Sequence, residues 1–131
     1  VFASKLSPDG LSKTRERIAN ASDDPDTIQL VAKDGSGKVV GAISATRGEK
    51  GREIHMLYTD KAVHGTGVGG ALMAQVIDWL GDDEEVVLNV ASKNDRAKTF
   101  YRKFGFKEIG EPYVNENHPK LLEQKMLRPA K

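Results

Sequence analysis

The sequence predicts an α/β fold: a mixed central sheet, mostly antiparallel with one parallel pair, carrying helices on both faces. Three observations predict it. Residues 54–80 read as a strand, a glycine-rich loop and a helix in direct succession. Two turn signals, residues 34–37 and 48–51, come before them and set up three antiparallel strands. Residues 86–90 form an apolar strand entered from a helix, which makes it parallel to the strand before the loop.

Each element has its own local reason. Residues 1–6 are short and partly apolar, and Ser7-Pro8-Asp9-Gly10 is a turn. Residues 11–20 are polar-rich with Leu11 and Ile18 seven apart, which reads as a modest amphipathic helix stopped by Asp23-Asp24-Pro25-Asp26. Residues 27–33 alternate as a strand and turn at Asp34-Gly35-Ser36-Gly37 into residues 38–46. Residues 52–59 then pair beside that strand. In the following helix Leu72, Val76, Trp79 and Leu80 fall on one face, and Gly81 suits the residue just past its end. After the parallel strand, Ser92-Lys93-Asn94 offers N-caps for a helix over 95–104, closed by Gly105. Residues 106–109 are strand-like, 112–119 read as a polar loop and 121–127 as a final strand. There is no internal repeat and no linker.

Composition narrows the function. The 131 residues fit one domain, large enough to bury roughly two-thirds of its unfolded surface. A net charge of +1 implies no basic face for nucleic acid. The absence of cysteine excludes a disulfide, a thiol nucleophile and a thiolate metal site. His55, His64 and His118 lack metal-ligand spacing, so no metal site is expected. With no long apolar run and no signal peptide in view, the chain reads as soluble and cytoplasmic, with no membrane partner. It starts with Val1 rather than methionine, as a fragment, a trimmed chain or a processed chain would.

The chemistry concentrates in the glycine loop. Gly65, Gly67, Gly69 and Gly70 lead straight into a helix, so unpaired N–H groups and the positive end of a helix dipole face whatever lies above. Glycine removes the Cβ atoms that would hold an anion off. A phosphate or pyrophosphate site follows. The spacing Gly65, Gly67, Gly70 satisfies the dinucleotide pattern. However, five residues separate Thr59 from Gly65, and the acids Asp82 to Glu85 precede the next strand instead of ending it. No Lys-Ser/Thr follows the glycines, so a Walker loop fails as well.

The segment His64-Gly65-Thr66-Gly67-Val68-Gly69 resembles motif A of the GNAT superfamily of N-acetyltransferases, with His64 standing where the family has Gln or Arg. A second run, Asn94 to Phe106, is similar to the family's motif B: an asparagine, then Ala97, Phe100-Tyr101, Lys103 and Gly105-Phe106. The resemblance covers most of the chain. It implies a splayed parallel pair and acetyl-CoA as co-substrate, its pyrophosphate on residues 65–70 (Gly65, Thr66, Gly67, Val68, Gly69, Gly70) with help from His64. It further implies a pantetheine arm along Leu57, Tyr58 and Thr59 and near Asn94, Ala97 and Lys103. Family members usually begin with an extra strand that is not obvious here, and without it an edge beside residues 27–33 would be bare.

On this reading Tyr101 is the general acid for the departing thiolate. Glu53 and His55, alternating on one strand face, are the base candidates. The acceptor is a small-molecule or peptide amine, with Glu111, Tyr113 and His118 shaping its pocket, and homodimers are frequent among similar proteins. A non-catalytic acyl-CoA-binding regulator of the same fold is the alternative. Phe100 and Phe104 read as core. The run 82–85 reads as a solvated loop, and Lys98, Arg102 and Lys103 as an exposed helix side.

Overall fold

A computed structural model describes residues 17–115 and 118–131 of the chain. Seven strands form one sheet in the order β1-β2-β3-β4-β5-β7-β6. They are β1 (Arg17–Asn20), β2 (Thr27–Lys33), β3 (Val39–Thr46), β4 (Arg52–Thr59), β5 (Val86–Ala91), β6 (Lys107–Asn115) and β7 (His118–Arg128). Among the described residues the helices are α1 (Val68–Leu80) and α2 (Asp95–Arg102), and a short 3-10 turn spans Lys61–Val63. Only β4 and β5 are parallel; every other neighbouring pair is antiparallel. The mixed sheet with one parallel pair is the one expected.

The parallel pairing is short. It joins Arg52, Glu53 and Ile54 to Val86, Val87 and Leu88, and then stops. Beyond Ile54 the β5 side of β4 has no strand partner among the described residues, so the two strands part there. A bulge lies at the same place: Ala45 faces Ile54 and Ser44 faces Met56, leaving His55 unmatched.

The core lies on the sheet face that carries Ile28, Leu30, Ile43, Ala45, Ile54, Leu88 and Met126, all buried. Leu72, Met73 and Val76 of α1 pack down onto it, as the helical spacing requires. The approach is close. A Cβ on Gly41 would come within 3.0 Å of the Leu72 side chain and 3.1 Å of Val68, so β3 needs glycine where α1 crosses it. Gly69 and Gly70 lie against the rings of Phe100 and Phe104, which seats α2 beside the start of α1. Among the described residues both helices therefore sit on this one face. No described helix is long and apolar enough to cross a membrane.

Three expectations change. Residues 17–20 of the supposed first helix form strand β1, which pairs with β2 and buries Ile18. Hydrogen bonding to a sheet edge overrides a weak seven-residue spacing there. Val1 to Leu6, the turn at 7–10 and residues 11–16 lie outside the described residues. The edge beside residues 27–33 carries β1 and is not bare. Finally, the loop expected over 112–119 belongs largely to β6 and β7. Pro112 hid the strand, but β6 is the sheet's edge, and the pairing skips from Ile109 to Tyr113 around a left-handed Gly110. Proline is tolerated at such a place.

Candidate active site

The parting of β4 and β5 opens a cleft of about 1280 Å³ on the helix-bearing face. One wall is β4, the other is β5 and α2, and the glycine loop closes one end. At that end Gly65 has φ 83° and Gly67, the residue that caps α1, has φ 91°. Those left-handed angles are why glycine stands at both positions. Gly67 offers no side-chain cap, and the first helical bond runs from Ala71 N–H to the Gly67 carbonyl. The N–H groups of Val68, Gly69 and Gly70 thus have no acceptor among the described residues. Among the described residues, chain neighbours aside, nothing stands within 4 Å of where Cβ atoms on Gly65 and Gly67 would be. Among the described residues, none blocks the approach to this helix end, whose geometry suits an anion.

The bulge at His55 sorts the side chains of β4. Glu53, His55, Met56 and Tyr58 fall on the face away from the helices, although His55 and Met56 also border the cleft, while Ile54, Leu57 and Thr59 fall on the helix side. Thr59 accordingly lies against Gly69, 3.5 Å from the Cβ that residue lacks. Leu57 and Thr59 line the cleft, and Tyr58 does not: it is exposed on the far face, its hydroxyl 3.5 Å from Asp60. Two other loop residues keep their side chains out of the cleft. Val68 is buried in the core, and the Thr66 hydroxyl donates to the Val63 carbonyl at 2.5 Å. At Tyr58, Thr66 and Val68 only the backbone is available to a ligand in the cleft.

Motif B supplies the opposite wall. Asn94 caps α2 by accepting from the Ala97 N–H at 3.0 Å, and Asn94, Ala97, Tyr101 and Lys103 all line the cleft. Phe100 and Phe104 pack on the core as expected and also form part of the lining. Tyr101 stacks edge-on against Phe100 and Phe106, with ring centroids 5.6 and 6.1 Å away. Burial pushes its phenol pKa up, so the hydroxyl keeps its proton through the neutral range. No group among the described residues takes a hydrogen bond from it. Lys98 departs from expectation: it is buried, with its ammonium on the Ser92 carbonyl at 2.5 Å.

A second cavity of about 410 Å³ opens on the other face of the sheet. Glu53, Asn89, Glu111, Tyr113 and Lys125 surround it. Tyr113 donates to Asn89 Oδ1 at 2.6 Å, and its pKa is raised by burial and by the charges of Glu123 and Glu53. Glu53 Oε2 lies 3.5 Å from His55 Nδ1, and His55 Nε2 lies 2.8 Å from Thr46 Oγ1. Glu53 and His55 thus share a face and touch. Asn89 lines both cavities, at the place where the strands part. Sequence reading missed Asn89, whose only signal was a polar residue inside the apolar strand 86–90. Glu111 and Tyr113 sit on β6, not in a loop, and His118 begins β7.

The C-terminal end of α1 is built differently. Arg47 donates to the Trp79 carbonyl at 2.8 Å with its guanidinium 4.1 Å over the Trp79 ring, and Arg52 donates to the Leu80 carbonyl at 2.5 Å. Arg52 also pairs with Asp83 and Glu84, and Arg128 with Asp82. The run expected to be merely solvated is therefore largely ion-paired.

Comparison with known proteins agrees with this geometry. The acetyltransferase (GNAT) domain model matches residues 2–126. An uncharacterized N-acetyltransferase of Mycobacterium tuberculosis is 38% identical over 97 residues, covering 72% of this chain and 62% of the relative. The chain thus spans somewhat under two-thirds of that relative's length. Among solved structures, a nourseothricin acetyltransferase superposes with a TM-score of 0.71 at 19% identity, over 90% of this chain and 85% of the other. A putative streptothricin acetyltransferase of Bacillus anthracis, solved in complex with acetyl coenzyme A, gives 0.68 at 18% identity over the same shares.

Proposed function

The chain belongs to the GNAT acetyltransferase family, and from that premise we propose that it transfers an acetyl group from acetyl-CoA to a primary amine by direct attack. One observation carries the reading. The cleft on the helix side and the cavity on the far side share Asn89, where β4 and β5 part. A thioester entering from one face and an amine from the other would meet there.

Acetyl-CoA supplies the acetyl group in an activated thioester. The chain's part is to bind and orient it and to handle protons. The free N–H groups at the start of α1 receive phosphate oxygens. The unpartnered edge of β4 beyond Ile54 gives backbone groups at Leu57 and Tyr58 to an extended polyamide and to the acetyl oxygen. Tyr101 holds a proton at its hydroxyl oxygen for the departing sulfur, which its raised pKa supports. Glu53 takes the proton of the amine, directly or through water. His55 suits that role less, because its two ring nitrogens already face Glu53 and Thr46. The sequence holds no cysteine for an acyl-enzyme, which favours attack by the amine itself.

Isothermal titration with acetyl-CoA, followed by thiol release against polyamines, aminoglycosides and lysine peptides, tests the reading. Binding with turnover is expected and names the acceptor. Binding without turnover on any amine supports a regulator that uses the same cleft. No binding by folded protein overturns the reading.

A further inference from the structure

Arg96 stands where its own helix does not explain it. It is the second residue of α2, at the positive end of the helix dipole, where a cation is disfavoured and the neighbouring Asp95 is the suitable charge. Lys38, Arg52, Lys98, Arg102 and Arg128 each pair with a carboxylate. Arg96 pairs with none among the described residues. Its Nη2 instead meets Nδ1 of His64, 3.0 Å away, and both residues line the cleft beside the glycine loop. His64 Nε2 lies 3.3 Å from the Thr59 carbonyl. A guanidinium can only donate and a carbonyl can only accept. The pair of contacts therefore fixes a neutral imidazole with its proton on Nε2, accepting from Arg96 and donating to Thr59. Both ring nitrogens are used, and His64 keeps no donor for a ligand. Arg96 keeps the rest of its donors.

We infer that Arg96, held in place by His64, is the side chain that receives the pyrophosphate of the acyl-CoA donor, with His64 as its positioning residue. The inference rests on the acetyl-CoA reading above and changes one part of it. The charge that the resemblance places at position 64 is supplied here from position 96, across the cleft. A planar, permanently charged fork also suits two neighbouring phosphates better than an imidazole would.

Titration calorimetry on the wild type, R96Q, H64A and H64Q tests this, with circular dichroism to confirm the fold of each. The probes are acetyl-CoA, 3′-dephospho-acetyl-CoA and S-acetylpantetheine, which lacks the pyrophosphate. R96Q is expected to weaken acetyl-CoA by about tenfold or more, to flatten the salt dependence of its binding, and to leave S-acetylpantetheine unaffected. The same loss should persist with the 3′-dephospho compound. H64A should lose affinity in the same direction, and H64Q, whose carbonyl can still accept from Arg96, should lose less. Equal loss on S-acetylpantetheine would mean a structural role and overturn the inference. Disappearance of the R96Q effect with the 3′-dephospho compound would assign Arg96 to the 3′-phosphate and overturn it too. R96Q binding acetyl-CoA as tightly as the wild type overturns it while leaving the cleft's function standing. Failure of the wild type to bind acetyl-CoA removes the underlying reading itself.

Discussion

The two ends of α1 are finished in opposite ways. At the C-terminal end, Arg47, just past β3, and Arg52 of β4 reach the Trp79 and Leu80 carbonyls, and the Gly81 N–H closes onto the Ile77 carbonyl. No basic residue sits in the helix's own last turn, so the sheet supplies what the helix lacks. At the N-terminal end, glycine takes the capping position without a side chain, and three N–H groups are left open among the described residues. A helix can satisfy both ends internally, as α2 does at its start with Asn94. Leaving one end of α1 open gives up that stabilisation and, on the proposed function, keeps the donors for a phosphate. On the proposed function, the contrast separates residues that hold the fold from residues that serve the site.

Making the two ends alike should produce the largest effect. G67D places a carboxylate at the open end, against the N–H groups and in the path of an incoming phosphate. Acetyl-CoA binding is expected to fall by roughly a hundredfold or more, since an anion would have to displace a like charge. Stability should change far less. The left-handed backbone at φ 91° costs about 1–2 kcal/mol in a residue with a Cβ, and attraction to the helix dipole offsets part of it. Calorimetry and chemical denaturation on the same variant check both halves. Unchanged affinity would show that the open end is not where the ligand binds.

A second change keeps the open end intact and acts further along the cleft. Y101F removes a hydroxyl whose pKa is raised by burial. Turnover is expected to fall by about a hundredfold while acetyl-CoA affinity holds, the pattern of a lost general acid. The sign of the pH dependence follows from the direction of that shift. Because the folded protein holds this proton more tightly than free tyrosine does, the acid stays competent up to and beyond the ordinary phenol value of about 10. Any falling limb due to Tyr101 therefore lies above that value and should be missing in Y101F. The same sign makes the Tyr101 contribution to stability complete below the unfolded pKa and lost as pH rises through the folded one. A falling limb near neutral pH in the wild type would remove Tyr101 from the role.

What could be read in the sequence divides along similar lines. The open end of α1 was legible because glycines after a strand and before a helix are a local signal; β2 keeps the bounds its alternation predicts, and β4 those that the turn at 48–51 sets. The rest depended on contacts between distant segments. Alternation alone would put Leu57 and Thr59 on the face of Glu53 and His55, and only the bulge between Ile54 and Met56 turns them into the cleft. Arg96 lies 32 residues from His64, and Tyr113 lies 24 from Asn89. Neither pair leaves a local trace. Strand β1 buries one apolar residue, Ile18, too little for any period to reveal.

The smallest expected effect lies at the closed end. R47A removes one bond to the Trp79 carbonyl and the guanidinium over the Trp79 ring, while Arg52 still reaches the next carbonyl. A hydrogen bond from a charged group and a half-exposed cation–π contact together suggest a loss of about 1–2 kcal/mol. Acetyl-CoA affinity should not move, because Arg47 lies at the opposite end of α1 from the open N–H groups. Urea denaturation should show a lower midpoint with an unchanged slope, and calorimetry an unchanged Kd. A weakened Kd in R47A would mean that the two ends are coupled through the helix, and the division between the end that holds the fold and the end that serves the site would have to be given up.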